Sequence, residues 1–286
     1  MQQKISQYYS LAKPGLVYGN LVSAISGFLI ASKGQINFQL MFTMLLGISL
    51  IMASGCVLNC YLDRDIDALM KRTQKRAMVT KSVSECGALI YAFILSLIGF
   101  SFLAIFTNLL VLLIALTGFF VYVVAYTIFL KRKSIHSTLI GSIAGASPIL
   151  VGYTSITGQF DTLAVILFII LAIWQMPHSY ALYIGYLEDY TKANISTLPV
   201  KRGIFRTKLN ILLYVISFFI ATYLLFLYKY VGVFYLYTMT AISIFWIIIA
   251  IRGFYTTNTK LWAKKIFFYS IFVMIAFSLL ISFDWV

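Results

Sequence analysis

Hydrophobic positions fall along this chain in long unbroken runs, not in alternating or amphipathic patterns. The runs occupy residues 15–32, 38–58, 86–106, 109–130, 137–157, 162–186, 209–228, 231–251 and 265–283. Each is long enough to cross a hydrocarbon core of roughly 30 Å as a helix, so the pattern predicts an all-α polytopic membrane protein with about nine transmembrane helices. The polar connections alternate sharply in charge. Of the 22 Lys and Arg residues, only Lys33 and Lys229 fall on one side. The others, from Lys4 and Lys13 through the loops 59–85, 131–136, 187–208 and 252–264 to Lys265, fall on the opposite side. The positive-inside rule makes that basic side cytoplasmic, with the N-terminus on it and the C-terminus across the membrane. A missed or invented span would scramble this sorting. No stretch is left over for a soluble domain, so residues 1–286 read as a single integral-membrane domain. Residues 1–14 form a polar N-terminal cytoplasmic segment without the pattern of a cleaved signal peptide.

Composition agrees with this reading and narrows it. The chain is 62% hydrophobic and only 10% charged, with a mean hydropathy of +0.95, values outside the range of soluble domains. A net charge of +14 could suit nucleic acid, but the bases sit in short loops where topology puts them. Membrane lipid, and no nucleic acid, is therefore the expected surrounding. Cys56, Cys60 and Cys86 make neither an even framework nor a CxxC motif and read as reduced structural thiols. The second and sixth runs each lead into a long basic-side loop with acids first and bases after. The fourth and eighth each end in a short basic loop. That repetition predicts two four-helix halves plus a ninth helix around a central cavity.

The acids carry information that topology does not demand. Asp63, Asp65, Asp67, Glu85, Glu188 and Asp189 all lie on the basic side, and only Asp161 and Asp284 lie opposite. In "LNCYLDRDIDALMKRTQKR", Asn59, Asp63 and Asp67 stand at i, i+4 and i+8, on one face if the helix continues past residue 58. Stacked carboxylates repel, so a bridging cation is expected. Two carboxylates and an amide oxygen suit Mg²⁺, which binds through one or two carboxylates together with phosphate oxygens. The bases that follow, Lys71, Arg72, Lys75 and Arg76, could hold those phosphate oxygens. A juxtamembrane cluster neutralised by its own bases is the plainer alternative. Arg64 and Asp65 fall off the shared face and read as solvated or paired.

Other residues suggest a second level of chemistry. His178 lies inside the sixth run, in "IWQMPHSY", where an ionisable side chain marks a functional position by default. Trp174 is one turn away, and Pro177 can open the helix there. If the helix continues, Asp189 lies about 16 Å further along the axis, close to the same face. Lys131, Arg132 and Lys133 end the fourth run, where such clusters commonly serve topology and can also meet an anion. Gly141 and Gly145 have the small-residue spacing of close helix packing, with Pro148 and Gly152 beyond.

The N-x-x-x-D-x-x-x-D pattern at Asn59, Asp63 and Asp67 resembles the first aspartate-rich motif of the UbiA-type intramembrane prenyltransferases. Within that superfamily, "DRDIDALMKRTQKR", "YTIFLKRKSIHSTLIGSIAGASPILVGYTSITG" and "WQMPHSYALYIGYLEDYTKANISTLPVKRG" resemble the haem-farnesylating branch. The likeness runs from "LAKPGLVYGN" to "IRGF", essentially the whole chain. It implies transfer of a farnesyl group from farnesyl diphosphate to the vinyl group of haem B with addition of water, giving haem O and diphosphate. It further implies Mg²⁺ held by Asn59, Asp63, Asp67 and Asp189, and diphosphate held by Lys71, Arg72, Arg76, Lys131, Arg132 and Lys201. His178 and Trp174 are then the haem-contacting residues. A bacterial inner membrane follows from the same likeness, as does contact with a downstream haem-modifying enzyme or a terminal oxidase. Two departures stand out: Ala77 follows Arg76 where the branch usually has proline, and Ala193 stands four residues after Asp189 where relatives carry a second acid. A prenyltransferase for an aromatic acid or quinone precursor, and a membrane transporter, are the competing readings.

Overall fold

The computed structural model describes residues 2–286; Met1, the start of the expected N-terminal segment, lies outside the described residues. A short helix α1 (Gln2–Leu11) precedes α2 (Pro14–Ser32) and α3 (Phe38–Leu62), which a six-residue helix α4 (Arg64–Leu69) follows. Next come α5 (Glu85–Phe106) and α6 (Leu109–Phe120), which runs on in wider π-helical turns over Val121–Leu130. The chain then forms α7 (Ser137–Thr157), α8 (Thr162–Gly185), a second six-residue helix α9 (Leu187–Lys192), α10 (Leu198–Leu227), α11 (Val233–Arg252) and α12 (Thr259–Phe283). Among the described residues, nine helices are long and apolar enough to cross a membrane, with α6 and its π-helical continuation counted as one.

Capping residues explain where many spans begin. Asn37, Ser84, Asn108, Asp161 and Asn258 each accept a hydrogen bond from a backbone N–H three residues on, supplying one of the donors a helix start leaves unpaired. Three spans are longer than their apolar runs. The second helix continues to Leu62, the seventh starts at Leu198 instead of 209, and the ninth starts at Thr259 instead of 265. Charged residues end an apolar run but not a helix, because their side chains can be solvated while the backbone keeps its ladder. Gly203, with φ 80, breaks the early part of α10, a conformation glycine adopts without steric cost.

Close backbone crossings hold the bundle. A Cβ on Gly27 of α2 would run into the Ile149 carbonyl of α7, and one on Gly152 of α7 would run into the Ala24 carbonyl of α2. Gly47 and Gly99 make the same kind of approach between α3 and α5. The tight contacts expected at Gly141 and Gly145 are instead with side chains, those of Tyr126 and Gln175. Helix α8 packs against α7, α10 and α12, and α12 also reaches α2. Leu97, Leu109, Phe120, Phe234 and Phe245 are exposed apolar side chains on the outside of the bundle, as a hydrocarbon surrounding requires.

Candidate active site

Helix α3 does not stop cleanly. Asp63 leaves the helical conformation, yet its N–H still bonds the Asn59 carbonyl at 3.0 Å, and the Asp67 N–H bonds the Asp63 carbonyl at 2.8 Å. The bend therefore keeps the four-residue register through α4. Asn59, Asp63 and Asp67 are 3%, 0% and 2% exposed, so the two carboxylates are removed from water. The Asn59 side-chain amide donates to Asp63 Oδ2 at 2.7 Å and to Thr127 Oγ1 at 3.2 Å. Lys131 also bonds Asp63 Oδ2, and Arg76 pairs with Asp67 at 2.6 Å. Among the described residues the buried Asp63 Oδ1 has no hydrogen-bond partner, with Arg132 3.9 Å away. An anionic oxygen left so is costly, and a cation would satisfy it.

The equivalent device recurs at the end of α8. Tyr186 breaks the helix and α9 carries Asp189, so Asp189 is not on a straight continuation of α8 and the 16 Å axial spacing expected from the sequence does not apply. The 7% exposed carboxylate of Asp189 instead accepts the backbone N–H groups of Lys71 and Arg72 at 3.1 and 3.3 Å. It thereby ties α9 to the loop after α4 and draws the two acidic segments together.

Lys131 reaches the site through the π-helical stretch. Its N–H bonds the Tyr126 carbonyl five residues back, and Thr127 bonds the Tyr122 carbonyl with its hydroxyl across the same interval. This wider turn puts Lys131 over the Tyr126 ring, 5.9 Å from its centroid, with Tyr122 and Tyr126 stacked at 6.0 Å. Burial lowers the pKa of the Lys131 ammonium, and Asp63 opposes that lowering. Burial also works against the charge of Arg76, but Asp67 outweighs it and raises that pKa. Lys13 adds a further cation. Left-handed at φ 49 between α1 and α2, it donates to Asn59 Oδ1 at 2.5 Å.

Behind these groups lies a cavity of about 880 Å³, within the range of sites for organic cofactors and drug-sized ligands. Lys13, Asn59, Asp67, Arg72, Arg76 and Lys131 line its charged end. Tyr122, Tyr126, Phe119, Leu171, Phe267, Ile271 and Met274 line the apolar remainder. Trp174 and His178 stand in that apolar part. The His178 ring is stacked between Trp174, at 5.0 Å, and Phe267, at 4.5 Å.

The fold thus brings Asn59, Asp67, Arg72, Arg76, Lys131, Trp174 and His178 to one cavity, with Asp63 and Asp189 bonded directly behind its charged end. Three candidates are placed elsewhere. Arg132 makes a two-pronged pair with Asp65 at 2.6 and 2.7 Å, Lys71 contributes its backbone N–H while its side chain is exposed, and Lys201 is exposed on α10. Arg64 pairs with Glu85 at 3.2 Å, away from the aspartate face. Sequence reasoning missed Lys13, Thr127, Ser270 and Thr197, whose buried hydroxyl at the cavity wall has no partner among the described residues. Only Lys13 gave a signal, as a base directly before the first apolar run. Among the described residues no three His, Cys, Asp or Glu groups form a ready-made metal cage. The buried, unpartnered Asp63 Oδ1 and the neighbouring oxygen donors nevertheless fit a hard cation completed by ligand oxygens.

A membrane-embedded helical bundle with paired acidic segments above an apolar cavity defines the class, and the matching family model sets it: the chain belongs to the UbiA prenyltransferase family, whose model matches residues 20–272. Within that family it is similar to the protoheme IX farnesyltransferases of Yersinia pseudotuberculosis serotype O:1b and Photorhabdus laumondii. Each is 47% identical over 280 residues, covering 98% of this chain and 95% of the relative. The fold is shared with a digeranylgeranylglyceryl phosphate synthase at a TM-score of 0.80 and 20% identity, covering 99% and 98% of the two chains. It is shared also with a UbiA homolog from Archaeoglobus fulgidus, solved bound to GPP and Mg²⁺, at a TM-score of 0.73 and 17% identity, covering 96% and 99%.

Proposed function

We propose that this chain transfers the farnesyl group of farnesyl diphosphate to a vinyl group of haem B, with addition of water, to give haem O. The observation that carries this reading is a single cavity joining a charged end, built on Asn59, Asp67 and Arg76, to an apolar part holding Trp174 and His178. That polarity suits a substrate anionic at one end and oily at the other. The 47% identical relatives named for farnesyl transfer to protohaem supply the acceptor and the chain length. The basic-side loops are cytoplasmic and the membrane is the bacterial inner membrane in this reading.

Lys13, Arg72, Arg76 and Lys131 hold the diphosphate and stabilise the charge that develops as its bond to C1 of the farnesyl chain breaks. Asp63 and Asp67, with Asn59 near them and Asp189 tied to the loop after α4, would hold Mg²⁺, which would add to the neutralisation of the departing diphosphate. Asn59 orients Asp63 and meets Lys13, so the amide couples the acids to the cations. The rings of Tyr122, Tyr126 and Phe119 exclude water from the farnesyl chain while C1 is cationic. The porphyrin vinyl carbon attacks C1. Water then adds to the porphyrin-side cation and releases one proton, leaving a hydroxyethylfarnesyl substituent. The test is competition for labelled farnesyl diphosphate between haem B and 4-hydroxybenzoate in proteoliposomes with Mg²⁺. Label in the haem fraction is expected; label in the benzoate, or transport of solute without prenyl transfer, overturns the assignment.

A further inference from the structure

Among the described residues His178 has a hydrogen-bond partner at one ring nitrogen alone. Its Nδ1 lies 2.8 Å from Ser270 Oγ on α12, and among the described residues Nε2 has no hydrogen-bond partner. A serine hydroxyl has a single proton, and here it has another destination: Ser270 Oγ donates to the Phe267 carbonyl one turn back at 2.6 Å. With that proton on the carbonyl, the same oxygen is free to accept from His178, an arrangement that puts the imidazole proton on Nδ1 and leaves a lone pair on Nε2. Ser270 is fully buried, so no water competes for the bond. Its carbonyl accepts the Trp174 indole N–H at 2.8 Å, which fixes the neighbouring ring on α8 as well. Phe267, the acceptor of the serine proton, also stacks on the imidazole. One turn of α12 thus holds the position and the plane of His178.

We infer that Ser270 is a positioning residue that keeps His178 in the Nδ1–H form and so reserves Nε2 as an electron-pair donor to the iron of a porphyrin in the cavity. The ligand class rests on the proposed haem-farnesylating function; the tautomer does not. An imidazole that donates through its remote nitrogen to an oxygen acceptor, and presents the other to a metal, is the usual way a protein orients a histidine ligand. In this form Nε2 has no proton to offer a propionate. His178 also lies seven residues, about 10 Å of unbroken helix, from the end of α8 at Gly185. That helix carries it, with Trp174, to the apolar part of the cavity beside Phe267, where the ring of a macrocycle would lie.

The chain has two histidines, so ¹⁵N NMR of histidine-labelled protein, assigned with a His136→Gln variant, reads the tautomer directly without haem. Wild type is expected to carry the proton on Nδ1, Ser270→Ala to lose that preference, and Ser270→Thr, whose hydroxyl can make the same bonds, to restore it. With ferrous haem bound, resonance Raman is expected to show an iron–histidine band in wild type and Ser270→Thr. Ser270→Ala should shift it and weaken haem binding about tenfold, the smaller of the effects typical for partners of metal-bound histidines. A proton on Nε2 in wild type, or a Ser270→Ala variant with unchanged tautomer and band, overturns the role of Ser270. An iron–histidine band that survives His178→Ala overturns iron ligation even where the tautomer is as stated, which separates failure of the ligand assignment from failure of the serine's role.

Discussion

Replacing Lys131 by methionine removes the one cation among the described residues that bonds Asp63 Oδ2 directly. Asp63 is 0% exposed and its Oδ1 already has no partner among the described residues, so the variant leaves a carboxylate supported by Asn59 at 2.7 Å and by Arg132 from 3.9 Å. Breaking a buried pair in this way costs about 3–5 kcal/mol. Arg132 can move partly towards Asp63 from its pair with Asp65, which puts the expected loss at the lower end, about 3 kcal/mol. The converse variant, Asp63→Asn, is milder. Lys131 keeps 17% of its side chain in contact with solvent, and burial already favours its neutral form, so it can release its proton or turn outward. The double variant has no lone charge left, and its destabilisation should fall short of the sum of the single losses by about 1–3 kcal/mol. Unfolding of the purified variants in mixed detergent micelles measures all three values. Additivity within about 0.5 kcal/mol, as for independent sites, would refute the coupling of Lys131 to Asp63. Turnover is a separate outcome: neither Lys131→Met alone nor the double variant should recover it, because both lack the cation proposed to face the diphosphate.

Lys13→Met removes a cavity cation hydrogen-bonded to Asn59; a charge-assisted bond of about 1.5–3 kcal/mol predicts a 10- to 100-fold loss in kcat/KM for farnesyl diphosphate in steady-state kinetics. Lys201→Ala, on an exposed position outside the cavity wall, should change the same parameter less than about twofold, as surface substitutions do. Gly152→Val drives a side chain into the Ala24 carbonyl of α2, and thermal melting should show a loss of about 1–3 kcal/mol or more, greater than for Gly185→Val, where a Cβ meets no described atom within 4 Å. Hydrogen bonds from Arg132 hold Asp65 below the usual carboxylate range. Its stabilisation is present above the unfolded pKa of about 3.9 and is lost as pH falls through the lower folded value. Asp65→Asn should remove that acid-side loss, at most about 1 kcal/mol for so exposed a pair, in unfolding measured from pH 5 to pH 2.

The spans were legible because lipid imposes a length and a composition, and the sorting of bases fixes their number. Their ends were not. Helices α10 and α12 begin among charged residues that hydropathy reads as loop. The aspartate face could be read because the 59, 63, 67 spacing survives the bend at Asp63. The bend itself, and the parallel one at Tyr186 that moves Asp189 off the axis of α8, depend on backbone conformations no residue type announces. Lys131 shows the limit most clearly. Its charge was visible, but its aim towards Asp63 comes from π-helical turns that shift register by one residue in five. Arg132, its neighbour, looked equivalent in sequence and is turned towards Asp65 instead. Ser270 carried no signal, because its importance arises from packing against a residue 92 positions away.

The most direct measurement is the mass of haem after a single turnover with purified protein, haem B, farnesyl diphosphate and Mg²⁺. The account predicts a haem heavier by one farnesyl group and one hydroxyl function, with its appearance abolished in Asp63→Ala and Asp67→Ala. Unmodified haem from a protein that still prenylates another acceptor would contradict it, as would full haem farnesylation by either aspartate variant.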